Sequence, residues 1–195
     1  MSTKIFTILA FIGALAVGYF LYDSIDSTIK EAKEIERVET LVKQRLGMIR
    51  DAQIAYQATY GDYADTWEKL IEYVQTGKIW LIQRTETIEI LDYGAEKSTI
   101  TFDTIGSKPV LDSLFKPDEY PNFDPMKLPE LPHAPGKYFS LYAQDSLRNN
   151  VNVDYIEVVD TYPFDRTRTE DNDIPNRRPL KFGSRTEITT AGNWQ

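Results

Sequence analysis

Three patterns of hydrophobic and polar positions follow one another along the chain. Residues 5–22, IFTILAFIGALAVGYFLY, carry no charged side chain. Residues 23–60 place apolar side chains at steps of three and four between charged ones, which is the period of an amphipathic helix. After Lys78 the apolar positions form short runs rich in β-branched and aromatic residues, which is typical of strands. We therefore predict an α+β protein that begins with a long helix.

The apolar run is predicted to be a transmembrane helix. Its 18 residues would span roughly 27 Å as a helix, close to the roughly 30 Å of hydrocarbon in a bilayer. Lys4 before the run and Asp23 after it place residues 1–4 in the cytoplasm and the remainder outside. The alternative is a secretory signal with a cleavage site at Ala14-Leu15-Ala16. The residues assigned to the membrane anchor are Ile5, Phe6, Leu9, Phe11, Leu15 and Phe20.

An amphipathic helix over residues 23–60 is predicted to continue the membrane helix without a break, since neither stretch contains proline. Charged residues of both signs occupy the face opposite the apolar stripe, which suits a solvated surface. We expect the apolar stripe to pack on the protein's own sheet and then on neighbouring subunits. A coiled-coil stalk is the alternative, although the stripe does not keep a strict heptad. The residues assigned to this interaction face are Ile25, Ile29, Ile35, Val38, Val42 and Ile49.

Residues 61–164 are predicted to form one exported α+β domain. Gly61 is expected to end the long helix, and Asp65 is expected to cap a short helix over residues 66–75. The last two strands of the domain are expected to pair as a central hairpin. Strands of a small antiparallel sheet are predicted at residues 79–84, 87–91, 98–102, 138–144 and 151–160.

A proline-rich segment and a polar tail complete the predicted organisation. Residues 116–136 contain six of the ten prolines, so they cannot form a regular helix or a central strand. Aromatic and aliphatic side chains between the prolines predict a strap that lies on the core. Residues 165–195 are polar and rich in turn formers, and they are predicted to be a C-terminal tail.

Composition narrows the kinds of partner. A net charge of -8 argues against a nucleic-acid or anionic-lipid surface, because such a surface needs clustered lysine and arginine. The chain has no cysteine, which excludes disulfides, thiolate metal sites and cysteine nucleophiles. An exported chain without cysteine fits a bacterial envelope better than a disulfide-rich extracellular module. A protein or a glycan is therefore the expected partner.

No combination of residues predicts an active site, and neither enzyme activity nor a cofactor is expected. His133 is the single histidine and lies among prolines, without a residue nearby in sequence that would orient a catalytic base. The nucleophile-elbow, Walker and zinc-protease motifs are missing from the sequence. Glu170, Asp171 and Asp173 are weak candidates for a calcium site, because the four arginines nearby oppose cation binding.

Residues 48–74 resemble the end of the long helix and the following loop in type IV pilins and type II secretion pseudopilins. Tyr56, Gly61 and Tyr63 take the matching positions in this resemblance. Proteins of that superfamily have a long helix whose first half lies in the membrane, then a loop and an antiparallel sheet. The resemblance implies this fold for the present chain.

Two positions depart from the pattern of that superfamily. Pilins carry a glycine just before the cleavage site of their leader peptidase and a glutamate five residues after it. Ile5 takes the position of the glycine and Ala10 that of the glutamate. The resemblance therefore implies a chain that is not cleaved by that peptidase and stays in the membrane.

Together these patterns predict a single-pass, non-enzymatic, pilin-like structural or assembly component of a bacterial secretion, pilus or surface-motility apparatus. It is expected in the cytoplasmic membrane, with the N-terminus inside and the domain in the periplasm. The expected partners are the lipid bilayer and either further copies of the chain or other envelope proteins, not nucleic acid. The alternative is a membrane-tethered binding module for a cell-wall glycan or a protein. Candidate ligand contacts for that module are Trp80, Tyr93, Tyr120 and Trp194.

Overall fold

The structure is a computed structural model that describes residues 3–90, 96–148, 151–169 and 177–194. The side chains at positions 4, 5, 7–9, 89, 148, 151 and 169 lie outside the described part. The chain divides into two compact units, residues 1–41 and residues 42–195. Helix α1, Thr3–Tyr60, begins in the first unit and ends in the second. The prediction of one helix over residues 5–60 is therefore confirmed.

In the first unit, the N-terminal part of α1 exposes its apolar side chains. Every large hydrophobic side chain described between Phe6 and Ile29 is exposed, from 48% at Ile29 to 76% at Phe6. Ile5 and Leu9, which the sequence assigned to the anchor, have side chains outside the described part. None of the helices, as far as their residues are described, combines the length and the apolar character that crossing a bilayer requires.

The second unit is an α+β domain with a continuous hydrophobic core. The part of α1 in this unit buries Val42, Leu46 and Ile49, at the steps of four and three that give a helix one apolar face. The rest of the core comes from later helices, the strap and a sheet. Its fully or almost fully buried side chains include Leu70, Val74, Val110, Leu128, Leu131, Phe139, Ile156, Val158, Leu180 and Phe182.

A short helix, α2, spans Trp67–Thr76 and confirms the element predicted over residues 66–75. The predicted cap was wrong, because Thr66 and not Asp65 takes the N-cap position, and the Thr66 side chain makes no capping hydrogen bond. The carboxylate of Asp65 lies 2.8 Å from the ammonium group of Lys69, one turn along the helix, and this ion pair engages it instead. The helix ends at Gly77, whose N–H donates to the carbonyl oxygen of Tyr73 at 2.7 Å.

Strands β1, Lys78–Ile90, and β2, Glu96–Pro109, form a two-stranded antiparallel ribbon. The predicted strands at 79–84 and 87–91 are one strand as far as Ile90, because the two polar residues between them, Thr85 and Glu86, continue the pairing with β2. Residue 91 lies outside the described residues. The register shifts between Leu81 and Ile82, where β2 carries one extra residue. Strand β2 also extends beyond the strand predicted at 98–102 and ends at Pro109.

Helix α3, Val110–Leu114, follows β2 and leads into the proline-rich strap. A 3-10 helix at Pro125–Lys127 lies within the strap, and Arg45 of α1 donates a hydrogen bond to the carbonyl oxygen of Lys127. Leu128 and Leu131 are buried. The prediction that residues 116–136 lie on the core is therefore confirmed.

A three-stranded antiparallel sheet completes the domain. It consists of β3, Ser140–Arg148, β4, Val151–Val159, and β5, Lys181–Ser184, in the order β3-β4-β5. The predicted hairpin of β3 and β4 is confirmed, with β4 in the centre. The sequence predicted one sheet, whereas the structure has this sheet and the separate β1–β2 ribbon.

The end of the chain belongs to this sheet and is not only a polar tail. Leu180 and Phe182 are buried, and Phe182 pairs with Val158 of β4. Glu157 of β4 lies 2.7 Å from both Lys181 Nζ and Arg185 Nε, so ion pairs join the two strands. Burial raises the pKa of Glu157, but hydrogen bonds and charge from its two partners outweigh burial and hold that pKa below its ordinary value. The predicted boundary at residue 165 therefore ends the domain too early.

Candidate interaction surfaces

The residues assigned to the interaction face of α1 fall into two groups. Val38, Val42 and Ile49 are at most 2% exposed. Ile25 and Ile29 are 60% and 48% exposed, and Ile35 is intermediate. The predicted stripe is thus a core surface at its C-terminal end and an open apolar surface near its N-terminal end.

The turn after α1 is fixed by glycine geometry and by one buried side chain. Gly61 has a φ of 96°, a left-handed conformation that favours glycine, and its N–H donates to the carbonyl oxygen of Gln57 at 2.8 Å. Gln53 is fully buried, and its side-chain amide makes two hydrogen bonds to the backbone of Ala64. It donates to the carbonyl oxygen at 3.0 Å and accepts from the N–H at 2.9 Å. This clamp holds the turn against α1.

Three tyrosine rings pack together beside the turn. Tyr56 lies 4.6 Å from Tyr60 and 5.2 Å from Tyr73 between ring centroids, and Tyr60 lies 5.7 Å from Tyr73. The Tyr73 hydroxyl donates to the carbonyl oxygen of Ala55 at 2.8 Å. Edge contacts between aromatic rings contribute about 0.5–1.5 kcal/mol each beyond burial. The cluster therefore joins α2 to the end of α1, with Tyr73 buried and Tyr60 exposed at the surface.

A cavity of about 290 Å³ opens between this turn and the β3–β4 hairpin. Tyr56 and Tyr63, two of the three pilin-like positions, line it, whereas Gly61 only shapes the turn between them. Its other lining residues are Tyr60, Asp62, Asp65, Lys69, Ala143, Gln144, Asp145, Asp154 and Tyr155. The sequence missed this site because its two halves are about ninety residues apart in the chain.

The cavity is acidic and rich in hydroxyl groups. Lys69 bonds to Asp65 and keeps the pKa of that carboxyl below its ordinary value. Gln57 donates to Asp154 at 2.9 Å. Burial, followed by the nearby charge of Asp154, raises the pKa of the Tyr63 hydroxyl.

An adjoining depression, lined by Tyr56, Tyr60 and Tyr73 among others, extends the cavity into a groove. We call the cavity and this depression the tyrosine groove. A separate depression, lined by Tyr142, Tyr155 and Arg185 among others, lies on the opposite face of the β3–β4 hairpin. There the Arg185 guanidinium lies 4.6 Å from the centre of the Tyr142 ring. Aromatic faces beside carboxylates and amides can stack on a ring with an apolar face while bonding to its hydroxyl groups.

Other candidate residues lie elsewhere. His133 lies in the strap. Its Nε2 is 2.9 Å from the carbonyl oxygen of Tyr162, and its ring meets the ring of Phe164 edge-on. Glu170, Asp171 and Asp173 lie outside the described residues, as does Tyr93. In the described ranges no group of three or more histidine and acidic residues is placed to hold a metal ion.

The aromatic residues proposed for a binding module are dispersed. Trp80 is exposed on β1, whereas Tyr120 packs against Phe115 with ring centroids 5.9 Å apart. Trp194 is half-buried next to Gly192. None of these residues is among those that line the tyrosine groove.

Comparison of this chain with protein-family models, with curated proteins and with solved structures gave no match. The pilin-like resemblance of residues 48–74 therefore stays a prediction.

Proposed function

We propose that this protein is a non-enzymatic, pilin-like structural or assembly component of a bacterial envelope apparatus for secretion, pilus formation or surface motility. In this proposal residues 5–22 anchor it in the cytoplasmic membrane, and the domain works by contact in the periplasm. The membrane anchor and the assembly role are parts of one proposal, because the exposed apolar helix needs an apolar environment.

The observation that carries the proposal is the exposure of the apolar N-terminal part of α1. A soluble monomer rarely leaves a continuous apolar surface open to water, and such a surface indicates contact with lipid or protein. The run has no charge from Ile5 to Tyr22, and Tyr19 and Tyr22 lie at the end where an aromatic belt is expected. A long helix followed by an α+β domain with antiparallel strands is also the arrangement that the resemblance implies.

Ile25 and Ile29 are the part of the interaction face left for a neighbouring protein. Both are exposed just beyond the apolar run, whereas Val42 and Ile49 are used by the core. We therefore place the first assembly contact at these two isoleucines.

Photocrosslinking in intact membranes tests this contact. A photoreactive residue at Ile25 or Ile29 is expected to give adducts with a second protein chain. The same residue at Glu31, exposed and roughly on the opposite side of the helix from Ile29, is the matched control. Protein adducts of equal yield at all three positions, or none at either isoleucine, would refute the assembly contact.

The tyrosine groove favours a second candidate function, binding of a cell-wall glycan. Sugar rings suit a surface that offers ring faces together with carboxylates, an amide and phenol hydroxyls. Retention of the full chain on purified cell wall is the test, in a detergent that keeps it dispersed. Tyr60→Ala in the groove is expected to lower retention, whereas Tyr138→Ala at an exposed position away from the groove is not. Equal retention of both variants would remove this candidate.

A further inference from the structure

The β1–β2 ribbon has one apolar face and one polar face. Paired residues of an antiparallel ladder point to the same side, and side chains alternate along each strand. The registered pairs Arg84 with Phe102 and Glu86 with Ile100 therefore define one face. Its apolar members are Trp80, Ile82, Ile88, Ile90, Ile100 and Phe102. The opposite face carries Ile79 and Leu81 near the base of the ribbon, and beyond them Gln83, Thr85, Thr87, Thr99, Thr101 and Asp103.

The apolar face of the ribbon is open. Its apolar side chains are between 43% exposed, at Ile100, and 72% exposed, at Ile90. A contiguous exposed apolar patch indicates an interaction site, and an isolated two-stranded ribbon is only marginally stable in water. The ribbon is tied to the domain at its base, where the Val110 N–H donates to the carbonyl oxygen of Gly77 at 3.0 Å. A partner is therefore expected for the part of the ribbon beyond this base.

Two opposite charges lie at the centre of the apolar face, whereas Lys78 and Glu96 lie at its ends. Arg84 Nη2 is 3.8 Å from Glu86 Oε2, and the Ser98 hydroxyl donates to Glu86 Oε1 at 2.6 Å, which places these groups on one face. Along β1, positions 80, 82, 84, 86, 88 and 90 read apolar, apolar, positive, negative, apolar, apolar. When a second copy of β1 runs in the opposite direction, each charged position faces the opposite charge and each apolar position faces an apolar one. The face of β1 is thus complementary to itself.

The two edges of the ribbon also differ in how well they could pair with an added strand. Among the described residues β1 pairs with β2 alone, so its outer edge has no strand partner. The extra residue at the register shift lies in β2, at Ile105, and such bulges disturb pairing at an edge. On the apolar face β2 carries Glu96 without a cation, whereas Lys97 and Asp103 lie on its opposite face. The free edge of β1 is therefore the better edge for adding a strand.

We propose that β1 pairs antiparallel with β1 of a second copy of this chain, about a two-fold axis at Thr85. Arg84 then lies opposite Glu86 of the second copy, and Ile82 lies opposite Ile88. The result is a four-stranded sheet in the order β2-β1-β1-β2 with one continuous apolar face. A two-fold interface matches both edges at once and closes them to further addition. In this pairing a second copy of the chain is the partner for the proposed assembly role. Its biological setting rests on that proposed function.

Cysteine crosslinking of the purified full chain in detergent tests the register, since the chain has no cysteine of its own. In the proposed dimer the two Thr85 side chains are directly opposite, with Cβ atoms about 4.5–5.5 Å apart. Thr101 pairs with Thr85 within one ribbon, and its two copies would be separated by three strand spacings, about 14 Å. Under mild oxidation Thr85→Cys is expected to form a covalent dimer, whereas Thr101→Cys is expected to stay monomeric. Equal crosslinking of the two variants, or none for Thr85→Cys, overturns the proposal.

Charge reversal provides a second test on the same preparation. Arg84→Glu alone and Glu86→Arg alone each place like charges opposite each other twice, and each is expected to raise the dimer dissociation constant about tenfold. The double variant R84E/E86R restores opposite charges and is expected to restore the dimer. Failure of the double variant to recover contradicts the two-fold register. These measurements need no membrane, so their failure is distinct from failure of the Ile25 and Ile29 adducts, which test the assembly role itself.

Discussion

Replacing Gln53 by leucine tests how the turn after α1 is held. Leucine has a similar volume but leaves the N–H and the carbonyl group of buried Ala64 without their observed partners. Each buried polar group left unpaired costs about 1–3 kcal/mol. The additional apolar burial of leucine returns roughly 1–2 kcal/mol. We therefore expect a net loss of about 3 kcal/mol of unfolding free energy for Gln53→Leu.

Thermal unfolding followed by tryptophan fluorescence measures this loss. For a domain of this size, about 3 kcal/mol lowers the melting temperature by roughly 6–12 °C. Gln44→Leu, an exposed glutamine on the same helix, is the matched control and is expected to change it little. A shift for Gln53→Leu no larger than that of the control would refute the clamp.

A second substitution at the same position gives the clamp a pH signature. Ionised glutamate in Gln53→Glu can accept from the Ala64 N–H but cannot donate to its carbonyl group. Burial raises the pKa of such a carboxyl, and the protonated acid can make both bonds. The gap in melting temperature between Gln53→Glu and the parent chain is therefore expected to narrow as the pH falls from 7 to 5. A constant gap contradicts the two-bond geometry.

Three further predictions concern the sheet and the core. The ion pairs of Glu157 hold its pKa below the ordinary value, so their stabilisation is complete above about pH 4.5 and is lost as the pH falls through the folded-state pKa. Glu157→Gln is expected to make the melting temperature depend less on pH in this acidic range. Gly183→Ala is expected to unfold the sheet, because a Cβ there would lie 2.0 Å from a carbonyl oxygen, whereas Gly136→Ala, at a similar φ with open space, should cost about 1–2 kcal/mol. Leu46→Ala is expected to cost about 2–5 kcal/mol by denaturant unfolding and Ile29→Ala less than about 0.5 kcal/mol.

Local signals in the sequence were sufficient for α1 and α2 but not for the short helix α3. The absence of proline and the three- and four-residue spacing of apolar positions predicted α1, and the signals at Gly61 and Asp65 predicted the position of α2. The cap of α2 was wrong because a lysine one turn away competes for Asp65. A cap depends on which partner the carboxylate finds, and spacing alone does not decide between two local partners.

Pairing between distant segments could not be predicted in the same way. Thr85 and Glu86 look like a break between strands until their partners Thr101 and Ile100 in β2 are known. Strand β5 has only four residues in a polar stretch, and its pairing with β4 defines it. The tyrosine groove could not be predicted for the same reason, because its tyrosines and aspartates come from the turn after α1 and from the distant β3–β4 hairpin.

The most direct test of the account is the accessibility of single cysteines in membranes of cells that make the protein. With the outer side of the cytoplasmic membrane accessible, Ile29→Cys is expected to react with a membrane-impermeant maleimide. Leu15→Cys, in the middle of the apolar run, is expected to react only after detergent is added. Labelling of Leu15→Cys to the same extent as Ile29→Cys without detergent would contradict the proposed membrane anchor.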